Sequence, residues 1–134
     1  MAANFVGPQG ITTVTPPAVE VQSKIGILEV ADGATGFAAF ALPKFAVPIG
    51  AFVIVAGANA SQTINVGYTN GGVELVSSFA PNSTGFSTAG AQTGTGMGVQ
   101  VTGDKVVYLK ASLTLTTPVT VRVDYYLPQQ GKTL

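Results

Sequence analysis

Cysteine and histidine are both absent from the 134 residues. Without cysteine there is no disulfide framework and no thiolate chemistry. Without histidine the chain lacks the commonest general base and the commonest metal ligand. A zinc, copper or iron site would have to be built from carboxylates alone, which suits none of those ions. Charge is scarce as well. Six basic and six acidic residues make 9% of the chain and cancel to zero, where ordinary soluble domains carry roughly one-quarter charged residues. The basic residues Lys24, Lys44, Lys105, Lys110, Arg122 and Lys132 do not cluster, so there is no electrostatic footprint for nucleic acid.

The six carboxylates, Glu20, Glu29, Asp32, Glu74, Asp104 and Asp124, fall singly in different strands and turns. Each reads as a solvated or turn residue. Nothing local argues that two of them converge as an acid/base pair, and a lone carboxylate near Asp32 or Asp104 is a poor calcium site. The glycine run Gly94-Thr-Gly96-Met-Gly98 is not led by a strand or followed by a helix, as a phosphate-binding loop requires. There is no Gly-x-Ser-x-Gly elbow. The expectation is a protein that is not an enzyme, with no catalytic, cofactor-binding or metal residues.

What the chain does contain is threonine, serine, glycine and valine, which suit strands and turns. Mean hydropathy is +0.44. A subunit this apolar and neutral has little repulsion to keep copies apart, so much of its surface is expected to be covered by other protein. The start, MAANFVGPQGITTVTPP, lacks the basic head and apolar run of a signal peptide, and synthesis in the cytosol without export is expected. Residues Gly36–Ala60 are long and apolar enough to raise a membrane span. Pro43, Lys44 and Pro48 interrupt them near the middle, where a charge is costly in hydrocarbon, so this segment reads as a buried pair of strands.

Alternation sets the rest. Residues 1–18 carry three prolines and read as an extended arm. Val19, Val21, Ile25 and Ile27 share one parity, with Glu20, Gln22 and Lys24 on the other. Strands follow over 35–42 and 47–57. Residues 63–69 and 73–79 form a hairpin turning at Asn70-Gly71-Gly72, residue types that accept positive φ. The Gly/Ser/Thr-rich stretch 80–98 reads as a loop, 99–102 as a return to the sheet, and 106–116 and 119–126 as two long alternating strands. About eight strands and no convincing amphipathic helix predict an all-β fold, an antiparallel β-sandwich over 19–128, for which a jelly roll is one suitable topology. The tail, 129–134, leaves the sheet at Pro128.

The order LPKFAVPIGAFVIVAG, INVGYTNGG, a Gly/Thr-rich loop, then LTLTTPVTVRVDYYLP resembles the small β-sandwich decoration or cement proteins of tailed bacteriophage capsids over Val19–Pro128. The resemblance implies a homo-oligomer, often a trimer, that sits on the outside of the major capsid protein shell and bridges capsomers. It carries over no catalytic or binding residue. The arm is expected to reach a neighbouring subunit, the alternative being that it folds back on its own domain, and Phe5, Val6, Ile11, Phe86 and Tyr126 are the candidate neighbour contacts. Two other readings stand beside it. One is a lectin-like or receptor-binding jelly roll using Phe86 and Tyr125-Tyr126 at a loop-end groove. The other is a tail or head-fibre component.

Overall fold

A computed structural model of the chain describes residues 20–55, 62–80, 85–88 and 95–128, with the backbone alone at residues 20 and 85–88. The arm over 1–18, with Phe5, Val6 and Ile11, and the tail over 129–134 lie outside the described residues. Eight strands are present among the described residues: β1 (Glu20–Leu28), β2 (Phe37–Leu42), β3 (Val47–Val55), β4 (Ile64–Gly67), β5 (Val76–Phe79), β6 (Gly85–Thr88), β7 (Lys105–Ala111) and β8 (Val119–Leu127). The helical content among the described residues is one 3₁₀ turn, Val30–Asp32, between β1 and β2.

The pairing is that of a long hairpin rolled up. β1 pairs with β8, β2 with β7, β3 with β6 and β4 with β5, all antiparallel. Two further antiparallel pairs, β3 with β8 and β4 with β7, close this ribbon into two four-stranded sheets, β1-β8-β3-β6 and β2-β7-β4-β5. That order is the jelly roll. Between the sheets lie Leu28, Leu42, Val53, Ile64, Val66, Leu109, Val121 and Tyr125, all essentially inaccessible. Each such side chain contributes about 1.5–3 kcal/mol by leaving water.

Several expected elements move. The stretch 80–98 is not all loop, because β6 lies within it and forms one edge of the first sheet. Residues 99–102 do not rejoin a sheet. Instead Val101 exchanges two backbone bonds with the turn after β2, accepting from Phe45 at 3.0 Å and donating to Ala46 at 2.9 Å. β7 ends at Ala111 rather than continuing to residue 116. Its partners run out there: β2 reaches only Leu109 and β4 only Ala111. Beyond it the Ser112 N–H donates to the Thr63 carbonyl, and Leu113 is exposed while Leu115 is buried. The segment 36–60 supplies two strands, but they belong to opposite sheets and β2 is an exposed-edge strand, not a buried one. No helix among the described residues is long and apolar enough to cross a membrane.

The Asn70-Gly71-Gly72 turn is real, with Gly71 at φ +87°, but it is the tip of a wider loop. β4 ends at Gly67 and β5 starts at Val76. Glu74 Oε1 accepts the Tyr68 N–H at 2.9 Å, the Thr69 carbonyl accepts the Gly72 N–H at 2.8 Å, and the Asn70 side-chain amide donates to the Thr35 carbonyl at 2.9 Å. The last bond ties the loop to the turn that precedes β2.

Candidate assembly surface

β1 turns its apolar parity to solvent. Gly26 and Leu28 face the core, while Val21, Ile25 and Ile27 are 58%, 62% and 45% exposed. Two inward contacts set this parity. Gln22 sits opposite Tyr125 and its Oε1 accepts the phenol O–H at 3.0 Å, satisfying a hydroxyl whose ring is buried. At Gly26 a Cβ would stand 2.6 Å from the Ala39 Cβ of the facing sheet. The inward side of β1 therefore has no room for an isoleucine at that level, whatever the apolar count of the strand suggests.

The register builds a continuous outer face on the β1-β8-β3-β6 sheet. Val21 pairs with Tyr126, Ser23 with Asp124, Ile25 with Arg122 and Ile27 with Thr120. On the other side of β8, Gly50 pairs with Asp124, Phe52 with Arg122 and Ile54 with Thr120. Phe86 of β6 lies opposite Ile54 in the ladder. Tyr126, 39% exposed, stands at one end of this face. Tyr125 does not join it, since it is 1% exposed and belongs to the core.

The charges on this face are satisfied within it. Arg122 Nε lies 3.1 Å from Asp124 Oδ1 in poor hydrogen-bond geometry, Nη2 donates to Oδ2 at 3.3 Å, and the Ser23 hydroxyl donates to Oδ1 at 2.6 Å. The guanidinium carbon stands 4.4 Å from the centroid of the Phe52 ring, a stacked cation–π arrangement. The ring in turn leans over Gly50, where an added Cβ would meet it at 3.3 Å. The result is a flat, branched-aliphatic surface crossed by one internally paired ion pair. An ion pair already closed on itself asks little of a partner, and apolar patches of this kind mark interaction sites.

Two further carboxylates do local work. Asp104 Oδ1 accepts the Lys44 N–H at 2.9 Å, which ties the turn before β7 to the turn before β3, and Glu74 caps the β4–β5 loop. No three of the Asp and Glu side chains among the described residues come together as a metal site would require. A cavity of about 270 Å³ opens at the loop end between Tyr68, Glu74, Gln100, Thr102 and Lys105. The buried Tyr68 hydroxyl has no hydrogen-bond partner, and burial, reinforced by Glu74, pushes its pKa up to about 12.

The sequence could have flagged Ile25 and Ile27 through Gly26 between them, because a glycine at mid-strand marks close backbone approach on its own side. Phe52 and Ile54 were hidden in the apolar run of β3, which carries no alternation to separate core from surface.

No family model and no curated protein matches the chain. Solved structures do. A chain of the cyanophage Pam1 capsid asymmetric unit is similar with a TM-score of 0.59 and 21% identity, over 91% of this chain and 96% of that one. A chain of the acidic stable capsid structure of Helicobacter pylori bacteriophage KHP30 is similar with a TM-score of 0.47 and 16% identity, over 84% of this chain and 95% of that one. The fold of this chain, across nearly its whole length, is one found in a phage capsid.

Proposed function

We propose that this chain is a structural virion protein without enzymatic activity. It binds the outside of a phage capsid as a homo-oligomer, a trimer by preference, and stabilises the shell by bridging units of the major capsid protein. The observation that carries the reading is the outer face of the β1-β8-β3-β6 sheet, where Val21, Ile25, Ile27 and Tyr126 are exposed together on a chain with zero net charge. Its likeness to the Pam1 capsid chain supports the setting. Each bound copy stabilises the assembled shell by mass action, because it binds that state and not free capsid subunits. Residues 1–18 serve as an arm that reaches a neighbour, and their deletion is expected to weaken attachment while the sandwich keeps its melting temperature. Unchanged particle binding by the truncated protein would remove the arm from the mechanism.

The deciding experiment is the copy number of the chain in purified particles, by quantitative mass spectrometry against the major capsid protein. A stoichiometry tied to the capsid lattice supports the proposal. A few copies per particle move the protein to a tail or fibre, and absence from particles overturns the virion reading. The loop-end cavity with its Tyr68, Glu74, Gln100 and Lys105 lining favours a second reading, a lectin-like or receptor-binding module. Saturable binding on a glycan array that is lost in Glu74→Ala would support it.

A further inference from the structure

A jelly roll has four sheet edges, and three of them here are blunted in the ways that natural sheets use to avoid edge pairing. β5 and β6 are four residues each, and β2 is broken by a register shift between Ala38 and Phe40. β5 carries a further irregularity in its pairing with β4, and Ser78 there has φ +51°. The fourth edge is different. β1 runs nine residues in unbroken register with β8, contains no proline, and has Lys24 as the one charge between Val21 and Leu28. In an antiparallel pair alternate residues turn their N–H and C=O groups away from the partner strand. Over Ser23–Ile27 those groups have no backbone partner among the described residues. A long, regular, apolar edge is a template for an added strand.

The chain supplies a matching segment. Nineteen residues precede β1, and Ile11-Thr12-Thr13-Val14-Thr15 is a run of five β-branched residues between Gly10 and Pro16-Pro17, the residue types that best fit a pleated strand. A return of the same segment onto its own β1 has no two-residue route, because such a hairpin turn needs positive φ that neither proline nor Ala18 favours, and it would need a wider connection over residues 16–19. We propose that the free edge of β1 accepts Ile11–Thr15 of a second copy as an added strand, so that the oligomer is held by backbone pairing as well as by apolar contact. Strand addition places the incoming residues beside Ile25 and Ile27, extending the outer face by one strand. The inference rests on the proposed oligomer and is independent of its place in a virion.

The test uses the full chain and two arm variants, Thr13→Pro and Val14→Pro. Successive strand residues present their N–H groups to opposite sides, so at least one of the two variants removes a pairing donor, and neither lies within the sandwich. Mass is measured by native mass spectrometry, and amide exchange over Ser23–Ile27 by NMR. The wild-type chain is expected to be oligomeric, with the edge-facing amides of β1 protected. In one or both variants those amides should exchange at least about 10-fold faster while the amides facing β8 are unchanged, and the mass should shift towards the monomer. A wild-type oligomer with unprotected edge amides, or protection that survives both variants, overturns the strand exchange alone. Protection that persists in a dilute monomer assigns the arm to its own β1 and overturns the exchange. A wild-type chain that is monomeric at every concentration overturns the oligomer reading as well.

Discussion

The two sheets of this sandwich share one core but show different outer faces. On the β1-β8-β3-β6 sheet the outward positions hold Val21, Ile25, Ile27, Phe52, Ile54 and Tyr126, with a single ion pair closed on itself. On the β2-β7-β4-β5 sheet, Ala38 pairs with Tyr108, Ala41 with Val106 and Asn65 with Lys110, and Ser77 and Ser78 continue the row on β5. There Val106, and Phe37 at the sheet edge, are exposed apolar side chains, while the rest of the row is small, polar or half-buried, and the Asn65 side-chain oxygen Oδ1 accepts the Ser78 N–H at 2.7 Å. A solvated face of a β-sandwich ordinarily looks like the second. The first is the more apolar, and the difference lies in which parity of β1 and β3 the fold exposes, not in overall composition.

The sharpest way to break this comparison is to place one charge on each face. Ile25→Glu puts a carboxylate in the middle of the apolar surface, and Val106→Glu puts the same group at a similarly exposed position, 43% against 62%, on the other sheet. Burying an unpaired charge in an interface costs several kcal/mol, so Ile25→Glu is expected to weaken self-association or particle binding by at least about 30-fold, the scale of an interface hot spot. Val106→Glu should change it less than about 2-fold. Both chains should melt within a few degrees of wild type, because both sites are already in water in the isolated subunit. Equal loss from the two variants, measured by sedimentation equilibrium, would erase the distinction between the faces.

A smaller effect tests why β1 faces the way it does. Gly26→Ala puts a Cβ 2.6 Å from that of Ala39 and 3.2 Å from the Phe40 ring. Overpacking of this kind costs about 1–3 kcal/mol, read as a lower denaturant midpoint with an unchanged slope. Ala39→Gly in the same chain should recover most of the loss, since it vacates the position that the new methyl enters. A Gly26→Ala chain as stable as wild type would mean that room between the sheets does not set the parity of β1.

These two sites also show what was legible in the sequence. The alternation of β8 gave its faces correctly, since Val119, Val121, Val123 and Tyr125 are buried and Thr120, Arg122 and Asp124 are not. It worked because β8 is central in its sheet and residues 119–126 have partners on both sides. β1 is an edge strand, where apolar residues can be excluded from the core at no cost in ladder bonds, and its inward side is decided by Ala39 and Tyr125 from distant parts of the chain. β6 was missed because Gly85-Phe86-Ser87-Thr88 is too short to show a period and is held by β3 alone. The expectation that Thr114 and Thr116 continue β7 failed for want of partner strands, which no local pattern records.

The loop end of the second sheet should respond to alkali. Tyr68 is half-buried, and its phenol is raised from 10 to about 12 by burial first and by the nearby Glu74 second. The unfolded phenol loses its proton near its ordinary value, the folded one later. Stability from this group is therefore full below about pH 10 and is lost as pH rises through about 12. Tyr68→Phe should flatten that part of the pH–stability curve, with little change at pH 7 because the hydroxyl has no partner to lose. A slope identical to wild type between pH 10 and 12 would show that Tyr68 titrates alike in both states.

The smallest effect comes from the one ion pair on the apolar face. Arg122→Ala removes the guanidinium from Asp124 and from the Phe52 ring, but Asp124 keeps the Ser23 hydroxyl at 2.6 Å. Exposed pairs of this kind contribute about 0–1 kcal/mol, and the Arg122 side chain is 36% accessible, so the isolated subunit should lose at most about 1 kcal/mol. The interface should lose more than the fold does. On the proposed contact face the guanidinium, 4.4 Å from the Phe52 ring centroid, would be part of the contact, whereas its removal would leave Asp124 facing the partner without its counter-ion. The comparison to make is between two numbers for the same variant, the change in unfolding free energy and the change in association free energy. If the second does not exceed the first, the ion pair serves only to keep a charged strand folded, and the face gains its adhesion from its aliphatic side chains alone.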